Sequence, residues 1–411
     1  MPVAPRLATL HGVAHPLPNR FVKFIPFPAL LLAALAPLCA ADAGGAPALR
    51  LSLPLDYQVG QRDTAAAGTI SVAGALPQAL TGPATIETRL TAGAAAGRWE
   101  KLATLDAGQT EFRGEVRAPA GGWYQLDVRA RQEDSVAAEA AVGHVGVGEV
   151  FVIAGQSNSA NHGAEKQTPR SGLVSAFDGT RWQPASDPQP GASGSGGSFL
   201  PPFGDALAAR FKVPIGLVAT GAGGTSVREW LPRGARFAQP PTVTGHVTQL
   251  PSGEWEAKGT LFAQFTARLR PLGPHGFRAV LWHQGESDAN QRDPACTLPG
   301  ELYRAFLAQL IRDSRRELGW NAPWFIAQAS YHAPDDPGSP DIRAAQKALW
   351  ETGLALPGPD TDTLTGDLRE GGGQGVHFSG PGLHAHAALW VEKVAPWLEQ
   401  QLANPAPLQK K

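Results

Sequence analysis

From residue 148 onward the chain alternates between two apolar rhythms. Short continuous runs such as Val150-Phe151-Val152-Ile153-Ala154 read as strands buried on both faces, the kind found inside a parallel sheet. Between such runs lie segments with helical spacing. "FGDALAARF" predicts a helix, "VPIGLVATG" a strand, "LFAQFTARLRPL" a helix and "FRAVLWHQG" a strand. "ELYRAFLAQLIRDSRREL" predicts an amphipathic helix with Leu302, Phe306, Leu310 and Ile311 on one stripe, "PWFIAQASY" a strand and "DIRAAQKALWETG" a helix. A last helix starts near Ser379 and carries Leu383, Ala387, Trp390 and Val394 at spacings of four, three and four. This alternation predicts an α/β fold: a parallel sheet with helices on both faces, and a ligand site beyond the carboxyl ends of the strands.

Residues 47–147 follow a different rule. In "TISVAGAL", "ATIETRLTA", "EFRGEVRAP" and "WYQLDVRAR" apolar and polar residues tend to alternate, and Tyr124, Leu126 and Val128 fall on one face against Gln125, Asp127 and Arg129 on the other. Period-two alternation broken by Gly, Ala and Pro turns predicts a small Ig-like β-sandwich over 47–147, ahead of an α/β domain over 148–402 and a tail at 403–411. Two Gly/Pro/Ser-rich stretches, 184–202 and 232–253, are expected to be loops over or near the site.

Residues 20–43 place Arg20 and Lys23 before the apolar run Phe24 to Leu38 and then small residues at Ala40, Ala41 and Ala43. That is the order of a secretory signal peptide, so residues 1–43 are expected to be removed and the protein to be secreted or periplasmic, without stable membrane insertion. Cleavage leaves Cys296 as the one cysteine, and no internal disulfide can then form. With 35 Lys plus Arg against 36 Asp plus Glu the formal charge is -1, which excludes a bulk electrostatic drive toward nucleic acid.

Candidate chemistry gathers at four predicted loops, three of them at strand ends. The first strand runs into Gly155-Gln156-Ser157-Asn158, where a serine is held at a rigid edge; position 159 is Ser, so the G-x-S-x-G elbow is incomplete, and a helix-capping serine is the bland alternative. "TGAGGTSVREW" (220–230) offers outward N–H groups for an anion but lacks the lysine of a phosphate loop; it also suits a plain tight turn. "VLWHQGESDAN" (280–290) brings His283, Gln284, Glu286 and Asp288 to the same edge, a costly set to bury for structure alone. "GQGVHFSGPGLHAHAALW" (373–390) sets His377 two residues before Ser379. His384 and His386 are i and i+2 on a helix and face apart, which argues against a metal pair.

Taken together, "GQSN", "GGTS…EW", "WHQGES" and "GVHFS" resemble the sialate O-acetylesterase-type branch of the SGNH hydrolases, which includes the carbohydrate esterase family 6 enzymes. The resemblance covers roughly 148–400 and implies a flavodoxin-like three-layer sheet, an acetylated glycan substrate, and neither metal nor organic cofactor. It implies Ser157 as nucleophile and His377 as base, with the N–H groups of Ser157 and Gly224 and the side chain of Gln284 holding the oxyanion, and Asn158 and Glu286 orienting the loops. One departure stands out: many members place an aspartate three residues before the histidine, where this chain has Gln374. Glu286 is the first choice for the missing carboxylate, Asp367 and Glu370 are next, and a Ser-His pair without a third member is a further option. Gln374 also motivates an alternative, a noncatalytic carbohydrate-binding protein on a degenerate esterase fold.

Overall fold

The alternating segments of the N-terminal half pair as their pattern predicts. In the computed structural model, which describes residues 47–404, Arg50–Leu53, Ala67–Ala75 and Glu111–Pro119 form one antiparallel sheet. Ala84–Ala92, Glu100–Leu105, Gly121–Gln132 and the first part of Ser135–Gly155 build the facing one. Between them Ile70, Val72, Ile86, Leu126, Val128 and Val147 are sealed from water. Asp127, expected on the polar face, is also covered, because Arg89 lies across its carboxylate at 2.9 Å. Residues 1–43 and 405–411, with the expected signal peptide and most of the tail, lie outside the described residues.

Strand Ser135–Gly155 does not stop at the expected boundary between 147 and 148; its first half belongs to the sandwich and its second half to the central sheet. Glu149, fully buried at the crossing, meets Arg62 at 2.6 Å, Arg278 at 2.6 Å and Gln61 at 2.8 Å. A carboxylate taken out of water persists only when so fully paired, and here the pairing ties the small sandwich to the sheet.

The central sheet runs in the order Trp182–Pro184, Val174–Phe177, Ile215–Ala219, Ser135–Gly155, Ala279–His283, Trp324–Gln328 and Leu356–Asp360, all parallel except the first. Setting aside 174–177 and 182–184, the five remaining strands stand in chain order 2-1-3-4-5, the flavodoxin-like arrangement. Side chains alternate across the pleat: Val150, Val152 and Ala154 pack toward helices Thr260–Leu269, Gly300–Leu318 and Pro340–Glu351. Phe151 and Ile153 pack toward Leu200–Phe211 and Gly380–Ala403. All five are fully buried, and each large one contributes roughly 1.5–3 kcal/mol.

Two local expectations change. Leu302 is exposed, because helix Gly300–Leu318 turns Tyr303, Leu307, Leu310 and Ile311 inward; the Tyr303 hydroxyl donates to the Gln284 carbonyl at 2.7 Å. The stretch 232–253 is not all loop, since Arg236–Phe237, Val247–Gln249 and Trp255–Ala257 form a small antiparallel sheet. Trp182, Trp230 and Trp282 are core residues, whereas Trp255 is half-exposed. Among the described residues no helix is long and apolar enough to cross a membrane.

Candidate active site

Topology places the site where the strand order reverses, at the carboxyl end of Ser135–Gly155 between its two neighbours. Gly155 ends that strand at φ +126°, and a Cβ there would collide with the carbonyl oxygen of His283. Only glycine allows this tight approach. Three loops are then laced to one point. The Ala222 N–H donates to the Gly155 carbonyl at 2.9 Å, and the Gln156 N–H donates to the His283 carbonyl at 3.0 Å. The Gln156 side-chain oxygen accepts from the Ser287 N–H at 3.0 Å.

Ser157 opens a short 3-10 turn, Ser157–Ser159, and its side chain does not cap that turn. Its hydroxyl makes no hydrogen bond among the described residues and is not sealed in. Asn158, next to it, donates from Nδ2 to Glu286 Oε1 at 3.0 Å and to the Val376 carbonyl at 3.2 Å. Val376 precedes His377, so the serine turn and the histidine loop, more than two hundred residues apart, are tied side by side.

His377 sits on a tight hairpin. The Glu370 N–H donates to the His377 carbonyl at 2.9 Å, Arg369 bridges Phe378, and the Gly375 N–H donates to the Glu370 carbonyl at 3.0 Å. Gly371, Gly372 and Gly373 all have positive φ, at 62°, 65° and 89°. This left-handed turn returns the chain so that Glu370 Oε1 lies 2.7 Å from His377 Nδ1. The carboxylate beside the histidine is therefore Glu370 and not Glu286, which is drawn down to Asn158 and stands 3.7 Å from His283 Nδ1.

Gln284 also departs from its expected place. Fully buried, its amide donates to Asp288 Oδ2 at 2.6 Å, the Thr225 carbonyl at 3.2 Å and Gln156 Oε1 at 3.3 Å. No donor is left for an oxyanion, because Asp288, which also accepts from Ser226 Oγ at 2.6 Å and the Val227 N–H at 2.9 Å, holds it inward. Asp288 further meets Arg228 at 3.2 Å, both side chains fully buried. By contrast, the N–H groups of Ser157 and Gly224 have no protein acceptor among the described residues, and Gly224 is exposed.

Two neighbours were not visible as site residues in the sequence. Arg369 donates to the carbonyls of Leu364 and Val376 at 2.6 Å and Thr361 at 2.9 Å, with its guanidinium 4.2 Å from the rings of both Tyr331 and Phe378. It clamps the loop that carries His377. His162 faces His377 with ring centroids 5.4 Å apart; it lies in the same "GQSNSANHG" stretch as the serine, which is the one signal that pointed to it.

Two further histidines, His283 and His386, serve the interior. His283 reaches Thr361 Oγ1 at 2.9 Å, and burial holds it below the usual imidazole range. His386 accepts from Trp390 Nε1 at 3.0 Å and is pushed well down by burial, while His384 points to solvent, so the two do indeed face apart.

A family model described as carbohydrate esterase, sialic acid-specific acetylesterase, matches residues 147–352. Among solved structures, a carbohydrate acetylesterase from Xanthomonas citri shares the fold at 21% identity and a TM-score of 0.50, over 85% of this chain and 76% of that one. A carbohydrate esterase family 2 enzyme with a carbohydrate binding domain from Corynascus thermopiles (Myceliophthora fergusii) is 14% identical over 86% of this chain and 100% of its own, at a TM-score of 0.38. No curated protein matches the chain.

Proposed function

The chain belongs to the sialic acid-specific acetylesterase family of carbohydrate esterases, and on that premise we propose that it removes O-acetyl groups from a carbohydrate through an acyl-enzyme formed on Ser157. His377 takes the Ser157 proton as the hydroxyl attacks the ester carbonyl. Glu370 orients the ring through Nδ1 and favours the imidazolium that forms. The N–H groups of Ser157 and Gly224 receive the oxyanion of the tetrahedral intermediate. His377 then returns the proton to the departing sugar oxygen, and a water molecule, deprotonated by the same ring, releases acetate from the serine.

What supports this most directly is the Glu370–His377 pair, tied beside Ser157 by the Asn158 bond to Val376. It also removes the motive for the noncatalytic alternative, which rested on Gln374 in the expected carboxylate position. Gln284, fully engaged with Asp288, acts as a brace between loops rather than as an oxyanion donor. The test is hydrolysis of p-nitrophenyl acetate and acetate release from acetylated glycans, wild type against Ser157→Ala. Loss of both activities in the variant supports the esterase; equal rates end it.

We also propose export, on the pattern of residues 20–43 alone. The mass of the mature protein recovered outside the cytoplasm checks it, and an intact N-terminus there counts against cleavage.

A further inference from the structure

We propose that His162 is a positioning residue of this esterase, coupling the general base to the oxyanion loop; the inference rests on the Ser157–His377 reading above. A continuous line of contacts carries it. The His162 ring faces the His377 ring at 5.4 Å and a tilt of 33°. On its other side, Nε2 lies 3.0 Å from Ser193 Oγ. The same Oγ accepts the Gly223 N–H at 2.6 Å, and the Ser193 N–H donates to the Gly221 carbonyl at 2.9 Å. Ser193 thus grips the glycine loop immediately before Gly224, whose N–H is one of the two oxyanion donors. The fit is close: a Cβ on Gly223 would come within 2.6 Å of His162 Nε2.

The protonation states follow from the partners. Ser193 Oγ accepts the Gly223 N–H through one lone pair and keeps its own hydrogen and a second lone pair, so it holds His162 Nε2 in either ring tautomer. Burial holds the His162 ring below the usual imidazole range, and the neighbouring His377 adds to this, while Glu370 opposes it. A neutral ring is what the mechanism needs, since a second cation would repel the imidazolium that His377 becomes. His162 therefore sets the spacing between base and oxyanion donors, and acid that charges its ring places a second cation against His377. His377 and Glu370 are the titratable groups that face it.

The test compares His162→Phe, His162→Gln and Ser193→Ala with wild type and Ser157→Ala on p-nitrophenyl acetate across pH. His162→Phe and Ser193→Ala should each lower kcat by about tenfold at neutral pH with KM little changed, as expected when reacting groups are misplaced rather than substrate binding lost. His162→Gln, whose amide oxygen can still accept from Ser193, should recover most of that loss. On the acid limb, log kcat/KM of wild type should fall more steeply than that of His162→Gln, which carries no ring to charge beside His377. If His162→Phe does not fold, Ser193→Ala carries the same comparison. Full kcat in Ser193→Ala, or an unchanged acid slope in His162→Gln, overturns the proposal while an inactive Ser157→Ala leaves the esterase standing. An active Ser157→Ala overturns both.

Discussion

Oε1 of Glu370 and Nδ1 of His377 lie 2.7 Å apart, held so by a backbone bond between the same two residues and by three glycines in the left-handed region between them. The hairpin supplies from seven residues upstream the carboxylate that Gln374 cannot.

Replacing Glu370 by Gln keeps a hydrogen-bond acceptor but removes the charge that favours the imidazolium. Both side chains are partly open to solvent, so the effect should sit near the low end for acid-base groups, a fall of about 10²-fold in kcat with KM little changed. Glu286→Gln should cost clearly less, since an amide oxygen still accepts from Asn158. Steady-state kinetics on an aryl acetate decide between them, and the reverse ranking would restore Glu286 as the partner.

Arg369 serves three carbonyls and two aromatic faces at once. Arg369→Met fills much of the volume but removes a donor from each of those carbonyls and leaves that of Leu364 with none, which should lower stability by about 2–4 kcal/mol. Urea unfolding measures that loss. Activity measured below the transition should also fall, because Val376 loses one of the two donors that fix it beside Ser157.

Asp288 neutralises a fully buried Arg228 while it organises Gln284, Ser226 and Val227. Asp288→Ala strands that guanidinium, a change expected to cost about 3–5 kcal/mol in a denaturant melt. A near-neutral result would mean that the second and third loops hold together without it.

Burial pushes the Glu229 carboxyl from 4.5 up to about 8, with the Ser226 N–H on one oxygen and no partner on the other. The native state therefore keeps a proton that the unfolded chain releases near pH 4.5, so this group's contribution is full below that pH. It declines as pH rises toward 8 and is flat above it. Glu229→Gln, which holds the Ser226 bond without titrating, should be more stable than wild type at pH 8, and the difference should shrink toward pH 5. Thermal melts at the two pH values read this directly.

Much of this protein is written in its periodicities. Continuous apolar runs identified the inner strands, because a strand covered on both faces has no polar side to show, and Ser379 marked the start of the last helix, where its Oγ accepts the Gly382 N–H at 3.2 Å. Leu356–Asp360 escaped notice because Pro357 and Pro359 argue against a strand; it is tolerated because it lies at the sheet edge, with one side free of pairing. The exposed Leu302 shows a similar limit, since helical spacing alone allowed a stripe that the Tyr303 contact with Gln284 rotates away.

The sequence by itself determined which loops carry the residues of the proposed site, because residue types that are costly to bury were clustered at the ends of predicted strands. Which of those groups touch was decided only by the folded chain. Glu286 and Glu370 are equal as carboxylates in a string of letters, and Gln284 and Gly224 are both plausible donors. Local backbone turns and competing partners separate them: a glycine turn aims Glu370 at His377, Asn158 holds Glu286, and Asp288 draws Gln284 inward. Hydrogen bonds select partners through distance and direction, and those are properties of the tertiary structure.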